Sequence, residues 1–313
     1  MNYQHALILY RTVTPLHVGC GQAVGVVDLP VIRERATGYP YIPGSGIRGS
    51  LRDIFESRAE MEANEDKKKD FNQLTLSLFG PEPGSSDEKD KYAGCVAIHD
   101  ARLLFYPVRA DQGVFVWITC PLALQRFNRD NSAFQLGFAD CKTKGLEKIA
   151  DDKFLGPETF TGSLHLEEFR FSSTADAATG VQNLAEFAEK IGGMELASRA
   201  VLVSNRSFYH FVNYATMLMQ HNTLTSAKTV KDGALFSIES LPPETILYGI
   251  IGATRERRDP KNGMAATAAL TSVKTFLLEN KPDAKNAYLH LGGKESTGLG
   301  LTQLTWATNG LTK

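Results

Sequence analysis

The chain has 313 residues, of which 42% are hydrophobic and 22% charged, and its formal net charge is −1. This is ordinary globular composition with enough apolar residues for a substantial core. The near-zero charge excludes a nucleic-acid footprint spread over the whole surface, so any such function has to rest on local clusters. Four scattered cysteines, Cys20, Cys95, Cys120 and Cys141, exclude a C-x-x-C zinc site and a disulfide framework and point to a reducing compartment. The N-terminus MNYQHALILYRTV has no basic run before a long apolar stretch, so no signal peptide and no membrane span are expected, and the localisation expected is cytoplasmic.

A first strand is predicted over His5 to Val13, with Ala6, Ile8 and Tyr10 on one face and Leu7, Leu9 and Arg11 on the other, ended by Thr14-Pro15. A glycine-rich loop follows, carrying His17 and Asp28, with a short strand at Val24 to Val27 and basic residues at Arg33 and Arg35. Gly44-Ser45-Gly46 then opens a helix. Ser45 is its predicted N-cap, Ile47, Leu51, Ile54 and Phe55 form its apolar stripe, and Arg48 and Arg52 share a neighbouring face. The charged run Glu60 to Asp70 reads as a solvated helix end or loop, Leu74 to Phe79 as a short helix, and Pro81 to Asp90 as a loop.

Strands are predicted at Val96 to Ile98, Ala101 to Val108 and Val114 to Thr119, a helical turn at Pro121 to Phe127, and one strand at Leu164 to Phe171. Residues Asn128 to Thr159 carry little pattern. Helical periodicity covers Val181 to Ile191, Leu196 to Val203 and Ser207 to Met219. Thr223 to Glu239 reads as a hairpin turning at Lys231-Asp232-Gly233. Ile246 to Ala253 is an apolar strand, Met264 to Leu278 a helix, and Ala287 to Leu291 and Gly300 to Trp306 are strands flanking a second glycine-rich loop. This order predicts an α+β fold with helices on a mainly antiparallel sheet.

Several groups carry possible chemistry. The loop GGKESTGLG (Gly292 to Gly300) has the glycine spacing of a P-loop but lacks its Lys and Ser/Thr, so it is either a tight strand connection or a backbone nest for phosphate. The helix entry with Arg48 and Arg52 is an anion site or a solvated face. His17 is a general base, a ligand or a hydrogen-bonded loop residue. Asp28 caps a turn, accepts a proton, or holds Mg²⁺ as a hard oxygen ligand. Arg255, Arg257 and Arg258 bind phosphate or pair with acids.

The run HVGCGQAVGVVDLPVIRERATGYPYIPGSGIRGSLR (His17 to Arg52) resembles the N-terminal signature of RAMP-superfamily CRISPR proteins, in particular the backbone subunit of type III-B effectors. LFGPE (Leu78 to Glu82), the block from Ala101 to Asp130, and LGGKESTGLG (Leu291 to Gly300) agree with it in order. The resemblance implies an RRM-like (ferredoxin-like) palm with insertions, one domain over 1–313, and a β-hairpin thumb at about 221–241. It implies copies of the chain stacked in a filament along a CRISPR RNA, with target single-stranded RNA and other Cmr subunits, including the large polymerase-like subunit, as partners. It further implies cleavage of target RNA at regular intervals by divalent metal (Mg²⁺ or Mn²⁺), with the catalytic role on Asp28 as base or metal ligand, and His17 and Glu239 assisting. Guide contacts fall on Ser45, Arg48, Arg52, Gly293, Lys294, Ser296 and Thr297. A non-cutting guide-binding scaffold and the type III-A backbone subunit are the alternatives, as is a stand-alone metal-independent ribonuclease using His17.

Overall fold

The structure, a computed structural model, describes residues 3–21, 27–81, 92–160, 162–174, 178–222, 225–231, 235–259, 261–278 and 285–307. In chain order the elements begin with strands β1 (Gln4–Thr12) and β2 (Tyr41–Ile42), helices α1 (Gly44–Met61) and α2 (Glu65–Phe79), then β3 (Val96–Ile98), β4 (Ala101–Arg109), β5 (Phe115–Thr119) and α3 (Pro121–Ala133). There follow β6 (Lys153–Phe154), β7 (Ser163–Leu166), β8 (Phe169–Ser173), α4 (Ala178–Ala197), β9 (Ala200–Leu202) and α5 (Asn205–Tyr214). The chain continues through β10 (Met217–His221), β11 (Phe236–Ser240), β12 (Ile246–Ala253), α6 (Ala266–Leu277), β13 (Asn286–His290) and β14 (Leu301–Ala307).

The main sheet runs β13-β14-β1-β12-β4-β5-β9, with β2 and β3 attached to β4 and β12. At its centre β14, β1, β12 and β4 are antiparallel neighbours. Helix α1 lies in the connection from β1 to β4, and α6 in the connection from β12 to β14. This is the strand order of a β-α-β-β-α-β ferredoxin-like unit, expanded by insertions.

Both faces of the sheet are buried, which explains why β1 reads as apolar on both sides. Ile8 and Tyr10 face one core with Ile47, Leu51 and Phe55 of α1 and Ala269 and Val273 of α6. Leu7 and Leu9 face a second core with Leu124 and Phe127 of α3 and Leu184 and Phe187 of α4. The second layer covers the sheet face opposite α1 and α6.

Several local expectations are corrected. Pro43, not Ser45, is the N-cap of α1; Ser45 lies exposed in the first turn, and the Gly44 N–H donates to Asp100 Oδ1 at 2.8 Å. Much of the charged run is helix: Asn64 caps α2 by accepting from Asp66 N and Lys67 N, and Glu65 and Asp66 complement the helix N-terminus. Helix α3 continues past Phe127 because its later polar residues have partners: Asp130, 5% exposed, accepts from Tyr248 Oη at 2.9 Å and from Arg102. The strand at Leu164 to Phe171 is the hairpin β7–β8, turning at Glu167 with φ 51°.

The helices predicted at Leu196 to Val203 and Ser207 to Met219 stop early. Chain 200–202 is a strand parallel to β5, and 217–221 is the strand β10 paired with β11. Helical and strand periodicity cannot be told apart over such short apolar runs. The expected strand at Val24 to Val27 and the Lys231-Asp232-Gly233 turn fall largely outside the described residues.

Candidate active site at the base of the β10–β11 hairpin

Strand β11 organises the site. It pairs with β10 on one edge, forming a two-stranded sheet separate from the main one. On its other edge it takes up the segment after Asp28: Leu29 N donates to Ser237 O at 3.1 Å and Glu239 N to Leu29 O at 3.0 Å. Just beyond it, Leu241 and Leu16 exchange both backbone bonds, at 2.9 and 3.0 Å. Asp28 and His17 are therefore fixed against one stretch of chain, more than 200 residues away in sequence.

Asp28 is exposed, and its carboxylate is oriented by one residue. Ser237 N and Ser237 Oγ both donate to Asp28 Oδ2, each at 2.8 Å, and Asp28 N donates back to Ser237 Oγ at 3.0 Å. These bonds, the backbone N–H first and the hydroxyl second, hold the Asp28 carboxyl below the usual carboxylate range. Its Oδ1 makes no hydrogen bond among the described residues.

Glu239 is a different kind of acid. It is 7% exposed, and both carboxylate oxygens are engaged: Oε1 pairs with Arg33 Nη2 at 2.5 Å and Oε2 accepts from Val31 N at 2.9 Å. What Glu239 offers His17 is its main chain, whose carbonyl accepts from His17 Nδ1 at 2.7 Å. The expected helper acid is thus a brace of the loop. His17 is likewise buried, at 6%, with its ring over Gly19 and its own carbonyl accepting from Gly293 N at 2.9 Å.

Gly293 and Lys294 are thereby brought to the same site. Gly292 turns the loop with φ 77°, a conformation that favours glycine, and a Cβ there would lie 2.3 Å from His17 O. The Lys294 ammonium sits 5.1 Å above the Phe236 ring of β11, which stacks on His221 from β10. Ser296 and Thr297 are exposed on the 3-10 turn Glu295–Thr297, where Thr297 Oγ1 donates to Lys294 O at 2.8 Å.

The helix-entry residues form another group. Arg48 donates through Nη2 to Phe79 O, and Arg52 through Nη1 to Gly80 O at 3.2 Å and through Nε to Glu56 at 2.6 Å. Both guanidiniums thus hold the end of α2. Asp100 occupies the Gly44 amide on which an anion was expected. Arg255 and Arg258 lie exposed and are engaged at the surface, Arg255 with the carbonyls of 261 and 263 and Arg258 with Gln73.

Sequence reasoning missed Ser237. The available signal was FSIES, where Ser237 and Glu239 are two apart and so on one face of a strand. A polar pair on that face implies a shared polar partner, and the loop carrying Asp28 supplies it.

The RAMP superfamily profile matches residues 9–303. The chain belongs to the RAMP superfamily. This RAMP chain is 30% identical over 305 residues, 96% of its length and 94% of the relative's, to the CRISPR system Cmr endoribonuclease Cmr4 of Pyrococcus furiosus. A shorter match, 33% identical over 30% of the chain and 41% of the relative, is to the Csm3 endoribonuclease of Streptococcus thermophilus. In three dimensions the RAMP chain is similar to oligomeric Cmr4 from Pyrococcus furiosus (TM-score 0.67, 24% identity, 98% and 100% of the two chains). It is also similar to a chain of the type III-B Cmr-beta complex bound to cognate target RNA (TM-score 0.70, 20% identity, 97% of each). These likenesses carry the fold.

Proposed function

We propose that the chain is a backbone subunit of a type III-B CRISPR effector that cleaves target RNA, with Asp28 as the catalytic residue. One observation carries this most: an exposed carboxylate, ionised and oriented beside hairpin strand β11, with one oxygen held by Ser237 and the other without a partner among the described residues. The near full-length match to a relative named an endoribonuclease supports the same reading. CRISPR RNA, target RNA, further copies of the chain and the other Cmr subunits are its proposed partners, and the cytoplasm its compartment. No helix of the described residues is long and apolar enough to cross a membrane.

The reaction is attack of a ribose 2′-oxygen on the adjacent phosphorus. The P–O5′ bond breaks, leaving a 2′,3′-cyclic phosphate and a 5′-hydroxyl. Asp28 Oδ1 takes the 2′-hydroxyl proton, and water returns a proton to the departing 5′-oxygen. A nucleotide unstacked beside the hairpin can reach the in-line geometry that a continuous helix denies. No group of three or more His, Cys, Asp or Glu that could hold an ion occurs among the described residues. Asp28 would be the residue to hold a divalent ion, as a hard oxygen ligand in place of its role as base, and the ion would supply neutralisation of phosphate charge. His17 and Glu239 keep the loop in place. Lys294, with Gly293, Ser296 and Thr297, and the Ser45–Arg48–Arg52 turn contact the guide backbone, which carries no sequence information.

The test is cleavage of end-labelled target RNA by the reconstituted complex, with wild-type or Asp28→Ala subunit, with and without Mg²⁺. The expected result is a ladder of evenly spaced products that requires the ion and disappears in the variant. Tight target binding without any ladder in the wild type would leave a guide-binding scaffold instead.

A further inference from the structure

We infer that Ser237 is the positioning residue of the cleavage site, fixing the Asp28 carboxylate to the hairpin strand so that Oδ1 faces the RNA. This rests on the reading of Asp28 as catalytic. The bonding is reciprocal: the Ser237 hydroxyl donates to Asp28 Oδ2 at 2.8 Å while accepting from Asp28 N at 3.0 Å, and Ser237 N donates to the same Oδ2 at 2.8 Å. A carboxylate on an exposed loop would otherwise rotate about two side-chain torsions. Two donors on one oxygen restrain that rotation and leave Oδ1 to act.

Ser237 is itself held. It is 6% exposed and lies on β11, whose register with β10 is set by five consecutive residue pairs from Met217↔Ser240 to His221↔Phe236. Its carbonyl accepts from Leu29 N at 3.1 Å, so the chain on the far side of Asp28 follows the same strand. The carboxylate and the hairpin therefore move as one body. Whatever nucleotide the hairpin displaces, the reacting oxygen arrives at a set offset from it, because the Ser237 side chain and the Leu29 backbone both tie the Asp28 loop to the strand.

The experiment compares Ser237→Ala, Ser237→Cys and Ser237→Thr with wild type and Asp28→Ala in the assembled complex. It measures single-turnover cleavage, target-RNA affinity and melting temperature. Ser237→Cys preserves volume but replaces a good hydrogen-bond donor with a weak one; Ser237→Thr keeps the hydroxyl. Loss of one such bond to a charged group is worth roughly a tenfold or larger fall in rate. The expected result is that fall in both the Ala and Cys variants, at unchanged target affinity, recovery in the Thr variant, and no further loss when Ser237→Ala is added to Asp28→Ala. Rates within twofold of wild type for Ala and Cys, with Asp28→Ala inactive, would overturn the role of Ser237 and leave that of Asp28 intact. A loss that tracks target affinity or melting temperature would make Ser237 merely structural. A full ladder from Asp28→Ala would instead remove the catalytic reading on which the role depends.

Discussion

Arg33 and Glu239, 206 residues apart, form an ion pair of 2.5 Å that ties the N-terminal glycine-rich loop to the hairpin strand. The other guanidinium nitrogen, Nη1, donates to Val212 O at 2.8 Å, near the end of α5, and to Gly38 O at 3.2 Å. The second Glu239 oxygen holds Val31 N. One buried carboxylate and one guanidinium thus join three parts of the chain, and neither is available to a substrate.

Glu239→Ala is therefore expected to destabilise the protein by about 3 kcal/mol, because it strands a partly buried guanidinium and a buried amide. Any loss of cleavage should come with a lowered denaturation midpoint. Asp28→Ala removes the acceptor of two Ser237 hydrogen bonds and should lower stability by about 1 kcal/mol, clearly less than Glu239→Ala, while removing cleavage. Urea unfolding of the two variants side by side separates the brace from the catalyst; equal midpoints would contradict this division.

Gly292 and Gly298 both have positive φ, 77° and 84°, but different surroundings. A Cβ on Gly292 would lie 2.3 Å from the His17 carbonyl, whereas one on Gly298 meets nothing within 4 Å. Gly298→Ala should cost about 1 kcal/mol, from the backbone alone. Gly292→Ala should cost well above about 2 kcal/mol and should detach the terminal loop from His17. Thermal melts, with amide exchange at Gly293 N, measure both effects.

Arg48 spends one N–H on Phe79 O, and a guanidinium has five. As a guide contact, its replacement by alanine should lower guide affinity and reduce the slope of log K against log salt by about 1. The same variant should also loosen the end of α2, visible as a lowered melting temperature. A lowered melt with an unchanged salt slope would confine Arg48 to its structural bond.

Cys20 is exposed on the loop that carries His17 and Asp28, whereas Cys95, Cys120 and Cys141 are buried. Burial pushes the last three thiols up to about 11, about 11 and about 12, so at pH 8 they remain protonated as well as shielded. One thiol should react quickly with an aromatic disulfide reagent and three only on unfolding. Guide and target RNA should slow the fast one if they bind at this loop, and equal rates with and without RNA would place them elsewhere.

Much of this was legible in the residues. The long strands β1, β4 and β12, the α1 and α6 stripes and the two glycine-rich loops have periodicity or turn chemistry that is local in sequence, so the chain alone determines them. Asp28 stood out only through the family resemblance of its contiguous motif, because a lone Asp in a loop reads equally as a turn cap. The tertiary structure decided the rest. Segments 200–202 and 217–221 became strands because β5 and β11 offered them unpaired backbone edges, which no local pattern records. The two acids of the site have different surroundings because Asp28 met the Ser237 hydroxyl at the surface and Glu239 met Arg33 in the interior. A carboxylate has the same letter in either place; its solvent exposure and its partners, brought together across more than 200 residues, determine which chemistry it can perform.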